Sequence, residues 1–173
     1  MFTVLAVIIR IVGAIAGRAT RVRPHPHGDL IWLTDVVLGD EKPALQIVFG
    51  GDRKVIEGDL VPVAPPGARA LVNDELGQRT RKMRARNYRR QRSNGMLCSL
   101  DELGWMSGGP NEVAILRNVT VGQSLDHLGA EDWPKVVVDW DRAQEFSLGL
   151  MVDRAVPSAA ALPTPALASS VGR

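Results

Sequence analysis

Fourteen consecutive residues, Arg79 to Arg92, carry eight Arg or Lys side chains and no acidic one. They read Arg-Thr-Arg-Lys-Met-Arg-Ala-Arg-Asn-Tyr-Arg-Arg-Gln-Arg and run directly into Ser93-Asn94-Gly95-Met96-Leu97-Cys98-Ser99. The whole chain has 21 basic and 19 acidic side chains for a net of +2; without the eight, 13 face 19 and the remainder carries −6. A modest total therefore hides one basic block on an otherwise acidic protein. Such a block is the electrostatic footprint of a polyanion-binding surface, because cations along a phosphate backbone displace its condensed counterions. Arg84, Arg86, Arg89, Arg90 and Arg92 are the candidate phosphate ligands, since a guanidinium forks across two phosphate oxygens. The simpler reading of the same run is a solvated charged face.

Other chemistries find less support. His25 and His27 form a His-x-His pair with only Asp29 nearby, which is short of a metal's ligand set, and the Pro-rich surroundings read as a turn. There is no Ser/His/Asp arrangement, no Gly-x-Ser-x-Gly elbow and no Walker loop. Asp101, Glu102 and the other carboxylates show no pairing suited to acid–base work. The expectation is a non-catalytic protein without cofactor or metal. Cys98 is the sole cysteine, which excludes a disulfide within the chain and fits a reducing, cytoplasmic setting.

The elements that must position the basic run are short and strand-like. A chain of 173 residues, 45% apolar, suits one domain plus an extension. Residues 2–16 are mostly apolar, but no basic segment precedes them and Arg10 interrupts them, so Val4–Val12 reads as a buried strand or short docking segment rather than a signal peptide or membrane span. Ala14–Arg23, Leu30–Leu38, Leu45–Phe49 and Leu60–Ala64 read as strands, separated by Pro24-His25-Pro26-His27-Gly28-Asp29 and other Gly/Pro turns. Within the basic run, Lys82, Arg84, Arg86 and Tyr88 share one parity and Met83 and Ala85 the other. On one strand this puts cations on one face and small apolar groups on the other. Ser99 and Glu102 form a capping box before a helical turn that stops at Gly104. Asn111–Arg117 and Lys135–Trp140 are further strand candidates, Gly122–Leu128 a short helix or turn, and Ala143–Arg154 a helix. The whole is an all-β barrel or sandwich with short helices. The Ala/Pro/Ser-rich stretch from Ala155 onward is expected to be disordered.

The ordered series His25-Pro26-His27-Gly28-Asp29, Leu45-Gln46-Ile47-Val48-Phe49-Gly50-Gly51, Gly58-Asp59-Leu60-Val61-Pro62-Val63-Ala64 and Arg92-Ser93-Asn94-Gly95-Met96-Leu97-Cys98-Ser99 resembles the tRNA-binding OB-fold domain. That domain occurs near the N-terminus of bacterial phenylalanyl-tRNA synthetase beta subunits, at the C-terminus of many methionyl-tRNA synthetases, and as stand-alone proteins. The resemblance covers roughly residues 13–129 and is closer to the phenylalanyl type. His27-Gly28 stands for the family's Asn-Ala, and Phe49-Gly50-Gly51 for its Cys-Gly-Ala. Tyr88-Arg89-Arg90 stands for Leu-Arg-Gly. Gly at such a place marks positive φ or a bulge, so Arg90 bears on the local backbone and also adds charge.

The resemblance implies a five-stranded OB barrel over residues 13–129, with residues 1–12 as an N-terminal apolar strand, 130–154 as an extension and 155–173 as a tail. It implies an RNA-binding face made by Lys82, Arg84, Arg86, Tyr88, Arg89, Arg90, Arg92, Ser93, Gly95 and Met96. In that face Ser93 would donate to a phosphate or ribose hydroxyl, Gly95 would let the backbone approach closely, and Tyr88 would stack on a base or ribose. Met96 and Leu97 are equally suited to the core. Only eight aromatic residues are present (four Trp, three Phe, one Tyr), which favours folded RNA read by shape and backbone. The implied partners are tRNA and an aminoacyl-tRNA synthetase or other tRNA-using enzyme, with no membrane. A homodimer is implied too, its interface supplied by the N-terminal strand and Lys135–Arg154. The alternatives are an OB-fold protein-interaction module without RNA binding, and a general single-stranded nucleic-acid binder.

Overall fold

The computed structural model describes residues 7–50, 55–106 and 112–138. Within them ten strands follow in chain order: β1 (Val7–Val12), β2 (Ile15–Pro24), β3 (Ile31–Val37), β4 (Leu45–Gly50), β5 (Leu60–Ala64), β6 (Arg69–Asp74), β7 (Gly77–Lys82), β8 (Arg86–Tyr88), β9 (Gln91–Ser93) and β10 (Met96–Leu97).

Five of them make one antiparallel sheet in the order β10-β5-β2-β3-β4. Strand β2 serves two neighbours in succession. Its first half, Ile15 to Arg18, pairs with β5, and the rest pairs with β3 across a register shift between Thr20 and Arg23. Arg21 has φ +48 inside that irregularity, and a bulge of this kind bends and twists a strand enough to curl a sheet. The curl brings the outer edges together. Asn94 N–H donates to the Gln46 carbonyl at 2.7 Å, and Val48 N–H donates to Ser93 Oγ at 2.9 Å. The result is the nearly closed five-stranded OB barrel that the resemblance implied.

Strand β5 shows why its sequence is apolar throughout instead of alternating. Val61 and Val63 face the barrel interior with Val36, Ile47, Phe49 and Leu97. Leu60 and Ala64 face a second core with Ala16, Ala70, Val72 and Leu116. A strand buried on both faces has no polar side to write into its sequence. The second core is covered by a three-stranded sheet, β1-β6-β7. It includes Ile11 of β1 together with Trp133, Val136 and Val137 from beyond residue 129. Packing is therefore continuous across both expected boundaries, 12/13 and 129/130.

The basic run is not one strand. It is divided among β7, a break at Met83–Ala85, and the β8–β9 hairpin. Fourteen extended residues would reach about 46 Å, far beyond the few residues a small barrel offers for pairing. Met83 makes the last ladder contacts, donating its N–H to Ala68 O at 2.7 Å and accepting from Gly67 N–H at 3.0 Å. The expected alternation survives locally: Lys82, Arg84 and Arg86 are exposed while Met83 and Ala85 are half-buried.

Helices are scarcer than expected. The capping box forms as read, with Ser99 N–H donating to Glu102 Oε2 at 2.8 Å and Glu102 N–H to Ser99 Oγ at 3.2 Å. It caps a single turn, which Gly104 ends at φ +71. Among the described residues the only helix is a 3-10 turn, Trp133–Lys135, which ends where the strand Lys135–Trp140 was expected to begin; of that span's described residues, 135–138, Val137 alone forms a bridge, to Leu116. The segment from Gly122 to Leu128 is a turn, and the candidate strand near Asn111–Arg117 is reduced to bridges at Val113 and Leu116. The expected helix at 143–154 and the tail at 155–173 lie outside the described residues.

Candidate nucleic-acid interface

The hairpin β8–β9 reverses through two residues, Arg89 and Arg90, with φ +46 and +71. Positive φ at both central positions is a type I′ turn, whose twist matches antiparallel strands but which favours Asn and Gly. Arg90 thus occupies a left-handed position, the one at which the pattern of the resembled family has Gly. A non-Gly residue there costs roughly 1–2 kcal/mol, and Gly recovers that less about 0.5–1 kcal/mol of backbone entropy. Arg90→Gly is expected to raise stability by about 0.5–1 kcal/mol in thermal unfolding, while weakening binding of a polyanion through the lost charge.

The hairpin is held by the His-Pro-His turn. His25 is buried, its Nδ1 accepts from His27 N–H at 2.9 Å, and its Nε2 lies 3.0 Å from the Tyr88 carbonyl. An acceptor role at Nδ1 leaves the proton on Nε2, which donates to that carbonyl. Arg89 Nη1 donates to His27 O at 2.8 Å. The paired histidines therefore act as a bracket for the basic hairpin, with both ring nitrogens of His25 already engaged by the protein.

Electrostatics divides the basic run into two groups. Arg79 and Arg81 both pair with Asp74, which sits across the β6–β7 hairpin. The hydrogen bond from Arg79 holds the Asp74 carboxyl below the usual carboxylate range, against the opposing effect of burial. Among the described residues Lys82, Arg84, Arg86, Arg89, Arg90 and Arg92 have no carboxylate partner. Arg92 Nε donates to the neutral Asn94 Oδ1 at 3.3 Å. Asp74→Asn should release Arg79 and Arg81. The expected outcome is a several-fold gain in affinity for RNA and a steeper salt dependence, read by titration at two ionic strengths.

Seven of the ten expected site residues converge on one cleft of about 380 Å³ between the barrel and the β1-β6-β7 sheet: Lys82, Arg84, Arg86, Tyr88, Ser93, Gly95 and Met96. Arg89, Arg90 and Arg92 lie on the hairpin beside it. Among the described residues no carboxylate lines this cleft.

Ser93 departs from its expected role. It is 1% exposed, and its hydroxyl accepts from Val48 N–H and donates to Gly95 O, both at 2.9 Å. Both capacities are spent on closing the barrel, so the hydroxyl is not presented to solvent. The close approach at Gly95 is likewise internal. Its φ is +144, and a Cβ there would lie 2.7 Å from the Ala64 carbonyl. Met96 is half-buried and shared between core and cleft. Cys98 is fully buried, which pushes its thiol well up and makes it a core residue.

Comparison with known proteins agrees with this geometry. The chain is 41% identical over 126 residues to the phenylalanine–tRNA ligase beta subunit of Salinibacter ruber, covering 70% of this chain and 15% of that protein. The corresponding subunit of Clostridium tetani is 34% identical over 130 residues, 75% of this chain and 14% of its own length. The chain belongs to the tRNA-binding OB-fold domain family. No protein-family model matches it. It spans about one seventh of the length of these curated relatives, as it does for Chlorobium luteolum, at 36% identity and 13% of that subunit.

Within this OB-fold domain several contributors escape a reading by motif. Gln46 ties the strands that carry the site, accepting from Arg23 Nη2 at 2.8 Å and donating to Arg92 O at 2.9 Å. Val72 and Ala70 of β6 line the cleft. Their signal was present as the apolar run Ala70-Leu71-Val72, followed by the turn at Glu75-Leu76. The charged neighbours masked it.

Proposed function

We propose that this chain binds folded tRNA on the face formed by Lys82, Arg84, Arg86, Arg89, Arg90 and Arg92, with Tyr88 and Met96 beside them. It acts in the cytoplasm without a catalytic step of its own and presents tRNA to a synthetase or another tRNA-using enzyme. The observation that carries this reading is the sorting of charge within the Arg79–Arg92 run: only Arg79 and Arg81 pair with a carboxylate, and of the six other cations Lys82, Arg84 and Arg86 line a cleft with no acidic group among its described lining residues, while Arg89, Arg90 and Arg92 lie on the adjoining hairpin. Relatives that are tRNA ligase subunits support tRNA as the polyanion. A second copy of the chain is the proposed partner for the exposed apolar side chains of β1, Val7 at 63% and Ile9 at 42% exposure. Light scattering of a monomer at micromolar concentration would remove that part.

The test is a titration of tRNA, single-stranded RNA and single-stranded DNA at two salt concentrations. tRNA should bind most tightly and with strong salt dependence. Equal affinity for all three ligands would make the protein a general single-strand binder. An absence of binding even at low salt would leave a protein-interaction module.

A further inference from the structure

The geometry points to a single-nucleotide subsite in the cleft between the two sheets, taking one unpaired nucleotide of the bound RNA with its base inside and its phosphate at the rim. The inference rests on the tRNA-binding reading and adds what an electrostatic face alone lacks, a place for a base. The cleft's volume of about 380 Å³ falls within the roughly 300–1,000 Å³ of small-ligand sites. Its wall is apolar where the sheets meet, formed by Ile8, Val72, Met83 and Met96, and its cations are Arg81, Lys82, Arg84 and Arg86. Tyr88, 46% exposed, completes the lining.

This combination selects its occupant. An apolar slot rimmed by cations, with no carboxylate among its described lining residues, favours a flat group that carries an anion. Thioether and phenol surfaces pack against a base face, which every base presents. Among the described residues Tyr88 is the sole aromatic of the lining, so one base is the capacity of the site. Ser93 also lines the cleft, but its hydroxyl is consumed by Val48 and Gly95. That leaves no hydroxyl from Ser93 to read a base edge, and the subsite should tolerate all four bases. The larger cleft on the other side of Tyr88 and Met96, about 540 Å³, is lined by Glu102 and Glu112. Those carboxylates disfavour a phosphate there, so the two clefts are chemically distinct although they share a wall.

The experiment uses the full chain with its methionine methyl groups labelled with carbon-13, titrated with 5′-AMP, adenosine, inorganic phosphate and tRNA. Met83 and Met96 resonances should move saturably with 5′-AMP. Adenosine and phosphate should each bind at least about tenfold more weakly, and Met106, which packs against the same core as Met83 and Met96 but does not line the cleft, should stay in place. GMP, CMP and UMP should match AMP within a few-fold. Tyr88→Ala should weaken AMP about tenfold, the weight of one stacking contact, with the amide spectrum otherwise retained. Equal responses to phosphate and AMP would reduce the site to an anion patch and overturn the inference. So would Met83 and Met96 unmoved by AMP. Measuring tRNA affinity on the same sample separates the failures: tRNA bound with both methyl groups unmoved sinks the subsite alone, whereas no tRNA binding sinks the function beneath it.

Discussion

Exchanging Arg84, Arg86 and Arg90 together for Ala lowers tRNA affinity by roughly two to three orders of magnitude near 0.1 M salt and flattens the salt dependence by about two to three units. The magnitude follows from counterion release. Each phosphate contact contributes a slope of about 0.7–0.9 in log affinity against log salt, so at a tenth of molar salt each is worth nearly a factor of ten. The three residues were chosen because, among the described residues, none has a carboxylate or hydrogen-bond partner in the protein that its loss would orphan. Folding should therefore be unaffected by their removal, apart from the turn position of Arg90, where Ala is no more strained than Arg. Filter binding or fluorescence anisotropy at four salt concentrations measures the slope directly. Removing Lys42 and Lys135, exposed residues that lie outside the Arg79–Arg92 run and do not line the cleft, is the control and should leave the slope nearly unchanged. If the control and the triple variant behave alike, the binding face is elsewhere.

What the sequence disclosed, and what it withheld, follows from the range of the forces involved. Strands at Leu30–Leu38, Leu45–Phe49 and Leu60–Ala64 were legible because their signals are local: apolar runs closed by Gly and Pro. The capping box of Ser99 and Glu102 was legible for the same reason, its two hydrogen bonds spanning three residues. Arg90 was legible as an anomaly because a left-handed turn position has a compositional signature. The division of the basic run was not. It depends on Ala68 ending its ladder with Met83 and on the His25 ring reaching Tyr88, contacts across many residues that no periodicity encodes. Nor could parity say that Asp74 neutralises two of the eight cations, since pairing requires the β6–β7 register. Alternation sorted the exposed cations from the half-buried side chains, while long-range contacts decided which of those cations are paired. Ser93 is the clearest case. Its motif is real, but a buried and an exposed hydroxyl read identically in sequence.

That ambiguity gives the second prediction, which separates two roles for the Ser93-Asn94-Gly95 segment. Ser93→Ala leaves Val48 N–H and Gly95 C=O without their partner in a buried site. Each orphaned group costs about 1–3 kcal/mol, so the variant should lose roughly 2–4 kcal/mol, a Tm fall of roughly 10 °C. Gly95→Ala should be comparably damaging by another route. Its Cβ would press on the Ala64 carbonyl at 2.7 Å, and φ +144 is unfavourable to any L side chain. The backbone would have to move at the point where β10 pairs with β5 through Met96 and Ala64. A hydroxyl that contacted phosphate would behave differently, with affinity falling at constant Tm. The structure requires the reverse for Ser93→Ala. Stability drops in urea or thermal unfolding, and at a temperature where both proteins are folded the salt slope for tRNA is unchanged, because no cation–phosphate contact has been removed. A wild-type Tm with weakened binding would return the Ser93 hydroxyl to the RNA interface and contradict its place in closing the barrel.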